Sequence, residues 1–429
     1  MHELSKMIKD DMKPALGVTE PGAIAFAVAK ARSFTKGDIK KVNVAMNSGM
    51  YKNAFTCGIP NSNEVGNVFA AALGVVAGNA DKGLESLADV TPEDNVKAQE
   101  MIDQGKITVE LSGITSRIFI DATVETEEDK AIVTIRDSHT NITKIIVNDK
   151  VELETEDEKK TEEDGGEEES HSIHKYTLQQ LYDYVTTVDI EEIRFINEAY
   201  KVNLELFHEG LENPRTTFAR QLLAINKGKE VSDDEQKTAS LMCNAAIEAR
   251  VIGLDKPAMS ITGSGAHGII ATMPLYAAYK VNGYTEEQLL RATALSYLVC
   301  MYIKEYSGRL SAFCGCAIAA GSGMACALVY LRGGTVEMMA HTLNNMASSI
   351  TGMICDGGNQ GCTMKGVAAV DAAYKSVEFA MNGIYISEVH GINGNTPEET
   401  MRNMGLIASP GMVGTEKTIV EIFEDKLKK

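Results

Sequence analysis

An acidic run, residues 154–170 (ETEDEKKTEEDGGEEES), constrains this chain more than any other feature. It has no large apolar residue, so it cannot bury enough surface to offset the entropy of ordering its backbone. No hydrophobic core can run through it. It reads as a solvated linker between 1–153 and 171–429, and a length of 429 residues also suits more than one core.

The two flanks differ in period. Residues 1–35 read as helix, with Thr19 as the cap and Pro21 in the first turn of an Ala-rich run. KVNVAM at 41–46 alternates like a strand and runs into a Gly- and Asn-rich loop. KITVELSG, RIFIDATVET, KAIVTIRDS and TKIIVNDKVEL each carry strand signals, with DSHTN as a turn. Their short links predict an antiparallel sheet that takes in the strand at Lys41, with helices near 68–77 and 92–104 over one face. From Tyr176 onward, apolar residues recur at helical spacing. The expected fold class is α+β: a small antiparallel-sheet region, its first helix packing on the remainder, and a larger all-α part rich in Gly loops.

Composition narrows function. A net charge of −19 argues against nucleic acid and anionic membranes as partners. The uncharged run Leu310–Leu331 is long enough to cross a bilayer. It is rich in Gly, Ala, Ser and Cys, however, which suits a buried helix in a cytoplasmic protein. The start, MHELSKMIKDDMKP, lacks the apolar segment of a signal peptide. Gly- and Ala-rich helices can also pack between copies, so a homo-oligomer is compatible with the sequence.

Eight cysteines are present, and six crowd the stretch from Cys300 to Cys362. Isolated ones such as Cys57, Cys243, Cys300 and Cys326 read as small core hydrophobes. Cys355 and Cys362 bound the loop CDGGNQGC, and Cys314 and Cys316 lie in FCGCAIAAG. The spacing lacks the paired C-x-x-C of most zinc sites and the compact run of ferredoxins. Spacing alone therefore leaves buried thiols, a structural zinc site and an iron–sulfur site all open. TGSGAHG (262–268) is no Walker loop and follows no βαβ strand; its glycines either free N–H groups for a carboxylate at a helix start or only permit tight packing and turns.

LGVTEPGAIAFA, YKNAFTCGIPN, ITGSGAHGI, GRLSAFCGCAIAAG and ICDGGNQGCTMKG together resemble the L-cysteine desulfidase family, a relative of the alpha component of iron–sulfur L-serine dehydratases. The resemblance implies a 4Fe–4S cluster on Cys316, Cys355 and Cys362, with Cys314 the rival to Cys316. It implies a β-eliminating lyase of amino-acid catabolism that works without pyridoxal phosphate. The product would be pyruvate and ammonia from L-serine or L-cysteine, with sulfide from the latter. Val18 stands where the family places a cysteine that accepts the α-proton, and valine has no ionisable group.

Two readings follow: an active lyase with another base, or a catalytically silent amino-acid-binding or regulatory relative. Lys52 and His267 are the candidate bases, each with a structural alternative: solvent or carboxylate pairing for Lys52, hydrogen bonding for His267. Glu20 could act directly or cap a helix. Asn47, Ser48, Asn53, Ser264 and Asn359 offer polar groups to the substrate, and Arg309 suits its carboxylate or a helix end. His341 and His390 receive no role.

Overall fold

The computed structural model describes residues 1–115, 117–156, 172–308 and 310–428. Most of the acidic run, 157–170, and Arg309 therefore lie outside the described residues.

The strands are β1 (Lys13–Leu16), β2 (Ile39–Asn47), β3 (Ile107–Gly113), β4 (Phe119–Thr126), β5 (Lys130–Arg136), β6 (Ile142–Val147), β7 (Lys150–Glu154) and β8 (Pro257–Ser260). Six of them form one sheet in the order β3-β2-β4-β5-β6-β7. Alternation in the sequence becomes alternation in burial: Ile120, Ala122 and Val124 of β4 and Val42, Val44 and Met46 of β2 are fully buried. The helices Thr19–Arg32 and Asn67–Ala77 cover that face.

The sheet departs from the expected pattern in three ways. First, β2 lies inside the sheet and runs parallel to β3. Three α-helices and a 3-10 helix separate β2 from β3 in sequence, and a connection of that length permits parallel pairing. Second, TKIIVNDKVEL is two strands, because Asn148 and Asp149 both adopt positive φ (49° and 64°) and close a two-residue hairpin. Third, the helix Pro92–Asp103 packs on Asn67–Ala77.

The N-terminal stretch is also more divided than its periodicity suggests. The helix Glu3–Asp11 is followed by β1, and the next helix starts at Thr19 with Val18 as its N-cap. Thr19 is thus the first helical residue, and Val18 offers no side-chain cap.

β1 pairs antiparallel with β8, with Lys13 opposite Ser260 and Leu16 opposite Pro257. β8 interrupts the helical stretch and precedes TGSGAHG, but its antiparallel partner makes no βαβ unit. The helical part centres on Glu235–Val251, Gly265–Asn282 and Glu286–Ser307, whose buried residues lie on all sides. Thr285 and Gln288 form a capping box at the start of the last of these. The run 310–331 is a loop, a π-helical turn at Cys316–Ala320 and the helix Gly321–Leu331. No helix among the described residues is long and apolar enough to cross a membrane.

Glycine sets the closest approach. A Cβ on Gly268 would lie 1.8 Å from the Met259 carbonyl oxygen of β8. Gly268→Ala must therefore push the helix off the strand. We expect it to lower stability by about 2–3 kcal/mol, as overpacked sites do, measured by urea unfolding.

Candidate functional site

Two short backbone pairings bring four motif segments together. The β1–β8 ladder places Val18–Glu20 beside Thr262–His267. A β-bridge between Phe313 and Ile354 joins the two cysteine loops, with Cys314 N–H donating to Met353 O (3.0 Å) and Cys355 N–H to Ala312 O (2.6 Å). Between these pairings lies a cavity of about 70 Å³, lined by Glu20, Asn53, His139, Thr262, Ser264, His267, Lys304, Ser311, Cys316 and Cys355 among others.

Of the eight cysteines, Cys316, Cys355 and Cys362 are the three that are part-exposed; the other five are buried. Cys316 and Cys355 line the cavity. Cys314 is buried, and its hydrogen bond with Cys316 and its burial raise its thiol well above the usual range. Burial pushes the Cys362 thiol up to about 11, with Cys355 and Cys314 adding to the rise. Its Sγ lies 3.4 Å from Gly357 O. Two ammonium groups stand close by. Lys304 lines the cavity and donates to Gly308 O (2.7 Å), and Lys365 pairs with Asp356. Burial lowers the Lys304 pKa, against the pull of the nearby thiols. Among the described residues no three His, Cys, Asp or Glu side chains converge as a single metal ion would require.

Glu20 is buried in the first turn of its helix. Asn53 Nδ2 donates to its Oε1 (2.8 Å), and His139 Nε2 lies 3.8 Å from the same oxygen. Burial pushes the Glu20 carboxyl upward, but His139, Asn53 and Arg250 outweigh it and bring it down to about 2. His139 is itself buried, and its Nε2 has no hydrogen-bond partner among the described residues. It comes from DSHTN, the turn between β5 and β6, which the sequence marks only as a turn. Its one hint was a histidine in a hairpin otherwise made of small polar residues.

His267 Nδ1 lies 2.5 Å from Thr262 Oγ1, whose hydroxyl also lies 2.7 Å from Ile261 O. With the hydroxyl hydrogen given to Ile261 O, Nδ1 carries the imidazole proton and Nε2 faces Gly315. Burial, helped by Lys304 and Arg250, lowers the His267 pKa to about 3, so the ring is neutral. Ser264 precedes the helix Gly265–Asn282 without capping it, at the cavity wall.

Other sequence candidates sit elsewhere. Lys52 is fully buried, and its Nζ donates to Ser311 O (2.9 Å), Cys355 O (3.0 Å) and Glu416 Oε2 (2.9 Å), the bonding of a fixed cation. Asn47 and Ser48 bond the backbone at Thr115 and Phe119. Asn359 orders its own loop through Asp356 O, Gly357 O and Gly361 N–H. Val18 is buried and packs on Gly358, where a Cβ would meet its Cγ1 at 2.8 Å. Arg309 lies outside the described residues. A larger cavity of about 530 Å³, between Asn61–Glu64, Pro92–Gln99 and Arg215, has no Cys, His or Lys among the described residues of its wall.

An α+β scaffold with a small cavity of thiols, imidazoles, a carboxylate and an ammonium fits the amino-acid lyase class. The chain belongs to the serine dehydratase alpha chain family, whose model matches residues 81–421. It is also similar over nearly its whole length to proteins named UPF0597. One from Clostridium botulinum strain Hall is 40% identical over 430 residues, covering 98% of each chain. One from Caldanaerobacter subterraneus subsp. tengcongensis is 36% identical (99% and 98% covered), and one from Bacteroides fragilis 33% (99% and 98%).

Both Glu20 and His267 make stability depend on acid. His267 favours the folded state while neutral, so its share is complete above about pH 6.5 and lost as pH falls toward 3. The share of ionised Glu20 is complete above 4.5 and lost toward 2. Between pH 6.5 and 4.5, His267→Gln is expected to remove up to about 1.4 kcal/mol per pH unit from the slope of unfolding free energy. Glu20→Gln should flatten the curve only below 4.5. Urea unfolding at stepped pH checks both.

Proposed function

We propose that this chain is a β-eliminating, deaminating lyase acting on L-serine, L-cysteine or a close analogue, with Cys316, Cys355 and Cys362 as ligands of a 4Fe–4S cluster. The observation that carries the reading is that both cysteine loops meet at one polar cavity, with Cys316 and Cys355 in its wall and Cys362, the third part-exposed thiol, in the same loop as Cys355. The donor set fits: soft thiolates suit iron–sulfur chemistry, and Lys304 and Lys365 offset their charge. When bound, such a cluster would supply an open iron as Lewis acid for the departing hydroxyl or thiol.

The chain's own groups do the rest. The N-terminal N–H groups after Ser264 receive the substrate carboxylate at the start of an 18-residue helix. His139 takes the α-proton, and ionised Glu20, 3.8 Å from its Nε2, then stabilises the imidazolium. His267 is a poor proton acceptor at neutral pH, since burial, with Lys304 and Arg250, opposes its charging. It serves instead as a neutral hydrogen-bonding wall. Loss of the β-substituent gives an enamine, which tautomerises and hydrolyses to pyruvate and ammonia.

A second reading, a silent amino-acid-binding relative, is favoured by Val18, which fills the family's base position and packs on the cysteine loop. Assays of anaerobic, iron-reconstituted protein for pyruvate, with a panel of β-substituted amino acids, separate the two. The lyase reading expects pyruvate from at least one substrate. It also expects His139→Asn to lower kcat by roughly a hundredfold or more, the usual share of a general base. Saturable amino-acid binding without pyruvate from any substrate would leave the silent reading standing.

A further inference from the structure

We propose that Lys52 is a positioning residue that locks the two thiol-bearing loops to each other through their backbones, with Glu416 of the last helix as its counter-ion. This rests on the reading that Cys316 and Cys355 are ligands. The Lys52 side chain is 0% exposed and Glu416 7%. An ammonium has three hydrogens, and all three are spent: on Ser311 O, Cys355 O and Glu416 Oε2, at 2.9, 3.0 and 2.9 Å.

Two of those acceptors belong to the segments that the Phe313–Ile354 bridge joins. One carbonyl is that of Cys355 itself, and the other lies five residues before Cys316. The loop is held from its other side as well. Gly358 N–H donates to Asn53 O (3.0 Å), and Gly357, at φ +99°, lies so close that a Cβ would be 2.4 Å from Lys52 O. The loop thus rests on the backbone of the helix Ser48–Ala54, while the side chain of the same helix ties it to the other cysteine loop. Glu416, in the first turn of Val413–Leu427, balances the buried charge, so docking of the last helix and order in the thiol loops are linked. A compact point cation with three radiating donors suits three separate acceptors, which a planar guanidinium would not.

The test uses the full chain, reduced and metal-free, with iodoacetamide as the probe and alkylation of each thiol followed by peptide mass spectrometry. Lys52→Met leaves a buried carboxylate unpaired and lowers thermal stability. The double variant Lys52→Met/Glu416→Leu removes both charges and recovers that stability, yet it still lacks the two carbonyl contacts. We expect Cys355 and Cys316 in both variants to react on the order of tenfold or more faster than in the wild type, the worth of hydrogen bonds to a charged donor. Cys326, deep in its helix, should keep its wild-type rate. Rates at Cys355 and Cys316 within twofold of wild type in the folded double variant would overturn the proposal. Should Lys52→Met alone not fold, the double variant decides. Failure of the wild type to take up iron would count against the ligand assignment alone, since the alkylation rates are read without metal.

Discussion

Everything at the cavity depends on two short backbone pairings, β1 with β8 and Phe313 with Ile354. Each joins segments more than forty residues apart, and each brings a glycine-rich loop to a partner that carries reactive side chains. The first ladder fixes where the helix Thr19–Arg32 begins, and so where Glu20 points. The second brings Cys316 and Cys355 to one wall. The large sheet contributes through the β5–β6 turn, which delivers His139. The cavity is therefore built from both flanks of the acidic run, and one continuous hydrophobic core underlies it.

Charge at the cavity runs against charge overall. The chain carries −19, yet Lys52, Arg250 and Lys304 are buried around the thiols and loops. Buried cations are costly unless hydrogen-bonded or paired. Here the compensation is visible for Lys52, through Glu416 and two carbonyls, and for Lys304, through Gly308 O. Arg250 Nε has no hydrogen-bond partner among the described residues and lies beneath Gly265. Its field adds to that of His139 and Asn53 in keeping Glu20 charged, and to burial and Lys304 in keeping His267 neutral.

The α+β class, the strands from 107 to 136 and the helices after Tyr176 were legible because period-2 and period-3.6 burial are written directly into local sequence. The β1–β8 ladder was not, because KPAL and PAMS are too short to show a period and pair across more than two hundred residues. The Asn148–Asp149 turn was hidden by strand residues on both sides. At the site, Glu20, Asn53, Ser264, His267, Cys316 and Cys355 line one cavity, while Cys362 is not among its lining residues. Lys52 was read as a candidate base, whereas its Nζ bonds three acceptors from segments remote in sequence, which no local pattern reveals. His139 and Lys304 were missed for the same reason: each is an ordinary residue of a turn or a helix until the fold brings it to the wall.

The central claim is that Cys316, Cys355 and Cys362 hold one iron–sulfur cluster. The most direct measurement is iron and acid-labile sulfide per chain in protein prepared without oxygen, compared with single serine variants at the three positions. The account predicts about four of each in the wild type, as a 4Fe–4S cluster requires, and a marked loss in every variant. Wild-type protein that stays colourless and binds neither after anaerobic reconstitution would contradict it.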